Sequence, residues 1–197
     1  MRLWLIAVLL VTGFLVPSVP AANAAATRFY DPQTHSWQEI RPSRSTRNPV
    51  PREVVAYDGP YAPGTIVVST TERRLYLVLD DGTALRYGIG VGREGFQWSG
   101  SSRIIAKKEW PSWTPPPQMI KREAAKGRKL PAYMPGGINN PLGARALYIG
   151  SRLFRIHGSN EPWTIGHNVS SGCIRLRNVD VIDLYNRVKV GTKVVVL

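Results

Sequence analysis

Two short apolar runs set the character of the chain. Thr65-Ile66-Val67-Val68-Ser69 and Arg74-Leu75-Tyr76-Leu77-Val78-Leu79 are too short for stable helices and rich in residues that suit a pleated strand. Asp80-Asp81-Gly82 follows the second run. Its Gly tolerates positive φ and its Asp side chains bond their own backbone, so a hairpin is expected, leading into a third strand over residues 84–91. Residues 102–108 read as a further strand, and 117–126 as a short helix stopped by Gly127. Around that helix regular structure is blocked. Trp110-Pro111-Ser112-Trp113-Thr114-Pro115-Pro116-Pro117 can be neither a central strand nor a helix interior. Residues 130–142 hold Pro131, Pro135, Gly136, Gly137 and Pro141, and also read as loop. Two aromatic, proline-stiffened loops in a small β domain either rim a cleft or cap the core.

Order returns after Gly143. Ala146-Leu147-Tyr148-Ile149 and Leu153-Phe154-Arg155-Ile156 are expected to pair around Gly150-Ser151-Arg152. Asn178 is placed to N-cap a helix over residues 179–188, with Asp180 in its first turn, where the helix dipole favours a negative charge. Val179, Ile182, Tyr185 and Val188 recur at threes and predict the buried face. Gly191-Thr192 ends that element, and residues 193–197 form a last strand. The fold class is therefore mostly β: a single sandwich or barrel domain over residues 62–197 with one late α-helix.

The 197 residues suffice for one such domain plus export and linker sequence, and a hydrophobic fraction of 43% excludes global disorder. A formal charge of +13 favours an anionic partner: nucleic acid, an acidic membrane surface or an acidic wall polymer. The N-terminus chooses among these. It reads MRLWLIAVLLVTGFLVPSV, with Arg2, an apolar run from Leu3, then Pro17 and Pro20, then Ala22-Asn23-Ala24. A positive start, a short apolar stretch and a small-residue exit describe a secretory signal peptide over residues 1–24, with cleavage after Ala26 as a second option. The run is slightly short for an uncleaved anchor, and its prolines are misplaced for one. No Cys lies near the exit, which excludes a lipoprotein anchor. Export to the periplasm or cell wall argues against nucleic acid and leaves no integral membrane span after cleavage. Residues 25–61 carry Pro32, Pro42, Pro49, Pro51 and Pro60 among Arg28, Arg41, Arg44, Arg47 and Arg52, with no sustained apolar period. They read as a basic, extended linker.

Cys173 is the only cysteine, so no internal disulfide is available, and an idle thiol is a liability in an oxidising compartment. The competing reading is a small buried hydrophobe. Local sequence favours reactivity. Ser170-Ser171-Gly172-Cys173-Ile174-Arg175-Leu176 places Arg175 and then Arg177 close to the thiol, and positive charge favours the thiolate. Gly172 lets backbone approach a substrate, and adjacent amides in such a turn can point at a developing oxyanion. Ile156-His157-Gly158 puts an imidazole at a strand end, a rigid position for a general base. His167 is nearer in sequence but sits in an exposed loop. His35 lies in the linker, and Arg152 and Arg155 read as surface charges. His157, His167 and Cys173 as three zinc ligands fit no familiar spacing, and no acid stands beside either histidine. Neither a metal nor a cofactor is expected.

The stretch HGSNEPWTIGHNVSSGCIRLRNVDVIDLYNRVKVGTKVVVL resembles the signature end of the YkuD-type L,D-transpeptidases. In that family a His followed by Gly or Ser precedes an S-x-G-C-[IVL]-R segment by a similar interval, and the likeness extends over roughly residues 62–197. The resemblance implies a cysteine acyltransferase acting on peptidoglycan stem peptides. Cys173 would form a thioester to the third residue of a tetrapeptide stem with release of D-alanine. His157 would act as base, and the Gly158 carbonyl would orient it. The Gly172 and Cys173 amides would form the oxyanion hole, and Arg175 would hold a substrate carboxylate as well as the turn. Many members carry His where this chain has Ser171, a position linked to the oxyanion site. The expected transfer is to a stem amine, giving a cross-link between third residues. Water or an outer-membrane protein are alternative acceptors, and a non-catalytic wall-binding module is the alternative of another class. A carbapenem that acylates the family's cysteine discriminates the last.

Overall fold

The computed structural model describes residues 27–31, 36–40, 50–93, 98–150 and 154–197. The expected signal peptide over residues 1–24, His35 and Arg152 lie outside the described residues.

Strands β1 (Thr27–Asp31) and β2 (Ser36–Ile40) pair antiparallel as a separate two-stranded sheet. The main sheet holds β3 (Glu53–Ala56), β4 (Ile66–Ser69), β5 (Arg74–Val78), β6 (Thr83–Gly88), β8 (Gly100–Glu109), β9 (Arg145–Ile149), β10 (Phe154–His157), β12 (Ile174–Arg175) and β13 (Lys193–Val196). Its order is β12-β10-β9-β8-β13-β4-β5-β6-β3. Short strands β7 (Val91–Gly92) and β11 (Asn168–Ser170) form a parallel pair beside it. Two helices, α1 (Pro117–Ala124) and α2 (Asn178–Arg187), complete the described residues, with a single 3-10 turn at Pro162–Thr164. This is the expected mostly β fold with a late helix.

Burial explains the elements. β4 is buried along its whole length, flanked by β13 in parallel and β5 antiparallel, so a continuous apolar run suits it better than alternation. The β5–β6 hairpin turns where expected: Gly82 has φ +74°, and the Thr83 amide donates to the Asp81 carboxylate at 3.1 Å. Ile66, Val68, Leu75, Leu77, Tyr87, Ile104, Leu147, Ile149 and Ile156 share one core cluster with Val181, Leu184 and Val188 of the late helix region.

Three expectations are corrected. The segment read as linker, residues 25–61, contributes β1, β2 and β3, and β3 pairs with β6 at the sheet edge. Three of its four side chains are exposed, so no apolar alternation announced it, and its Glu53 meets Arg86 at 2.6 Å. Of the expected face of α2, Ile182 and Val188 are buried and Tyr185 packs against the core, while Val179 is only half-buried and the fully buried Val181 and Leu184 widen the face. Finally, Asn178 is the first helical residue, not the cap; Arg177 occupies the cap position and makes no side-chain capping bond.

Candidate active site

His157 ends β10 between two neighbours, opposite Ala146 on antiparallel β9 and Arg175 on parallel β12. Its carbonyl accepts from the Leu176 amide at 2.8 Å, and the next amide, Gly158, donates to the Arg145 carbonyl at 3.0 Å. The backbone is thus held from both sides. The imidazole is only 3% exposed. Its Nδ1 lies 2.6 Å from the Gly158 carbonyl oxygen. A carbonyl can only accept, so Nδ1 carries the hydrogen and Nε2 presents the lone pair. Burial, then the charge of Arg175, with a smaller push from Arg155, drive the His157 pKa down to about 3 against the raising effect of the Gly158 bond. The ring is neutral and able to accept a proton at Nε2 throughout the neutral range.

Gly158 is small for a packing reason. The Asn178 side-chain oxygen accepts from the Ala144 amide at 3.0 Å and the Ser159 amide at 3.2 Å. A Cβ on Gly158 or on Gly143 would collide with that same oxygen. Asn178 therefore clamps the start of β9 to the turn after His157. The capping assignment missed this because both partners are distant in sequence.

The thiol comes from the turn between β11 and β12. Gly172 has φ +101°, a conformation that side-chain-bearing residues rarely adopt. The Ser170 hydroxyl donates to the Cys173 carbonyl, and the Ser170 carbonyl accepts from the Arg93 amide at 3.0 Å. Arg175 and Gly90 exchange backbone bonds of 2.8 and 2.9 Å, which seat the turn beside the end of β6. Cys173 itself is partly exposed.

Both residues open into one cavity of about 250 Å³, whose wall includes Trp113, Pro116, Met119, Arg155, Ser171 and Arg175. The two proline-stiffened loops meet here. Trp113 and Met134 exchange backbone hydrogen bonds of 2.8 Å, holding the half of the rim that carries Trp113 and Pro116; Pro141 and Leu142 follow from the second loop. Met119 and Arg122 come from α1, and an Arg122 nitrogen reaches the Ser171 hydroxyl at 3.5 Å. Of the sequence-selected residues, Cys173, His157, Ser171 and Arg175 line the cavity, and Gly158 acts from behind it through its carbonyl. Gly172 is buried in the turn. His167 is exposed and does not line the cavity; its backbone binds β7 and Thr164. Among the described residues no group of three His, Cys, Asp or Glu could hold a metal ion.

Arg155 was read as a surface charge, and that reading is wrong. It points into the cavity with its Nη1 4.0 Å from the Cys173 sulfur. The signal was present as strand parity: Arg155 and His157 are two apart on β10 and share a face. Arg175, by contrast, is engaged, with its Nη1 3.1 Å from a Glu161 carboxylate oxygen.

The L,D-transpeptidase catalytic domain model of the YkuD family matches residues 63–196. The chain belongs to that family. A probable L,D-transpeptidase ErfK/SrfK of Escherichia coli K12 is 42% identical over 135 residues, covering 67% of this chain and 43% of that protein. The chain thus spans less than half the length of such curated YkuD relatives. A solved Brucella melitensis structure, named as a probable carnitine operon oxidoreductase, is 47% identical and covers 77% of this chain and 97% of its own, with a TM-score of 0.50. L,D-transpeptidase 3 of Mycobacterium tuberculosis, solved with a faropenem-derived adduct, shares the fold at 21% identity and a TM-score of 0.50, covering 67% of this chain and 59% of its own.

Proposed function

We propose that the chain is an exported cysteine acyltransferase that acts on peptidoglycan tetrapeptide stems, with Cys173 as nucleophile and His157 as general base. The observation that carries this reading is a buried neutral imidazole, fixed through Nδ1–H to the Gly158 carbonyl, in the same cavity as the chain's one thiol. Family membership supports the substrate class.

The chemistry follows from that arrangement. Nε2 of His157 takes the thiol proton as the sulfur attacks the scissile carbonyl carbon, and an S–C bond forms. The oxyanion draws on the Gly172 and Cys173 amides, with Ser171 beside them. Collapse breaks the C–N bond, and the imidazolium returns its proton to the leaving amine of D-alanine. An acceptor amine then attacks the thioester carbon, giving its proton to Nε2; the C–S bond breaks and the imidazolium returns that proton to the sulfur, regenerating the thiol. Because burial disfavours the imidazolium, the resting ring is neutral, and positive charge develops on it only during attack. Arg175 holds the turn and its paired Glu161. The acceptor in this reading is a stem amine, which gives a link between third residues in the periplasm or wall. Water as acceptor would make the enzyme an L,D-carboxypeptidase, and a protein amine would make it an anchor for an outer-membrane protein.

Incubation of the purified chain with tetrapeptide-stem muropeptides, followed by mass spectrometry, tests the reading. Released D-alanine with cross-linked dimers is the expected result, lost in Cys173→Ser. Trimmed stems without dimers would shift the acceptor to water. No acyl-enzyme, no D-alanine release and no carbapenem adduct on Cys173 would leave a wall-binding module instead.

A further inference from the structure

Among the described residues four arginines have a buried Nε without a hydrogen-bond partner: Arg86, Arg145, Arg155 and Arg175. Three of them are neutralised at the other end of the guanidinium, Arg86 by Glu53 at 2.6 Å, Arg145 by Glu109 at 3.1 Å and Arg175 by Glu161 at 3.1 Å. Among the described residues no acid pairs with Arg155. Its guanidinium carbon lies 5.5 Å from the centre of the Tyr148 ring, which helps fix the plane of the group, and its Nη1 faces Cys173 across 4.0 Å. A half-buried guanidinium in the wall of a reactive cavity, with neither water's full solvation nor a carboxylate, is poised for an anion that arrives with the substrate.

The position of Arg155 says which anion. For attack, the scissile carbonyl carbon must come within about 3–3.5 Å of the sulfur. In a peptide cut one residue from its end, the terminal carboxylate carbon is two bonds beyond the scissile nitrogen. That carboxylate therefore passes beside the sulfur, where Arg155 stands. We infer that Arg155 receives the terminal carboxylate of the leaving residue and so makes the site select stems that end one residue past the scissile amide. Arg175, already held by Glu161, is the less available cation. This inference rests on the acyl-transfer reading above.

The test compares two donors, a tetrapeptide stem ending in D-alanine and the same stem ending in D-alaninamide. The full chain is used as wild type, Arg155→Gln and Arg155→Lys, with release of the terminal amine followed. A charge-assisted bond to the carboxylate makes wild-type kcat/KM for the free acid about tenfold to hundredfold higher than for the amide. Arg155→Gln is expected to erase that preference mainly by raising KM for the acid, and Arg155→Lys to retain part of it. Alkylation of Cys173 by neutral iodoacetamide is followed across pH in the same three proteins. Equal wild-type rates on the two donors would overturn the inference while leaving acyl transfer intact. So would an upward shift of the alkylation midpoint with equal losses on both donors, which would make Arg155 the counter-ion of the thiolate. Release of neither amine by the wild type would remove the acyl-transfer reading and this inference together.

Discussion

At the residue scale, the informative quantity is the protonation state of His157. Its pKa is lowered to about 3 in the folded chain, mainly by burial, so the unfolded chain binds one more proton between pH ~3 and the ordinary histidine value near ~6.5. The stability contributed by the neutral ring is therefore complete above about pH 6.5 and is lost as the pH falls towards 3. Urea titrations at pH 6.5 and 5 are expected to differ by about 2 kcal/mol from this group, and His157→Gln should flatten that difference. The same neutrality predicts a kcat/KM without an acid limb between pH 5.5 and 7 (roughly the span over which an ordinary histidine would titrate); a midpoint near ~6.5 would contradict it. Asn178 acts on the same residue from behind. Asn178→Ala leaves the Ala144 and Ser159 amides without their acceptor and should cost about 2–3 kcal/mol in denaturant titrations, with a fall in activity larger than the folded fraction explains.

Helices and loops in this fold are placed by a few long-range polar contacts. The C-terminal end of α2 is closed by Lys107 from β8, whose ammonium donates to the Tyr185 and Val188 carbonyls at 2.6 Å each and lies 4.1 Å over the Tyr185 ring. A cation at that end is favoured by the helix dipole as well. Lys107→Met is expected to destabilise the chain by about 1–3 kcal/mol, read by urea denaturation. Helix α1 is different. None of its residues is buried, and Met119 and Arg122 turn towards the cavity and Ser171. The proline loops earn their stiffness at this scale, because Trp113 joins Met134 and becomes a cavity wall. Strand β3 is held by backbone pairing and the Glu53–Arg86 contact, which is why its side chains follow no apolar period.

Over the whole molecule, the continuous sheet runs from β5 through β9 to β10, so the core and the candidate site share one sheet. Leu147 is fully buried on β9 directly opposite Ile156, next to His157. Leu147→Ala should cost about 2–5 kcal/mol by thermal or chemical denaturation. The sequence alone determined the longer core strands, the hairpin at Gly82, the late helix and the pair of motifs bearing His157 and Cys173. Those features depend on local chemistry: β-branched runs, turn residues and a glycine before the thiol. Tertiary structure decided what depends on partners far apart in the chain. It showed that Asn178 is a clamp and not a cap, that β3 belongs to the sheet, that Glu161 occupies Arg175, and that Arg155 faces the sulfur. A charged side chain looks alike in sequence whether water or a cavity receives it. Only the pairing of β10 with β12, which brings Arg155 into the cavity wall beside the Cys173 sulfur, distinguishes the two.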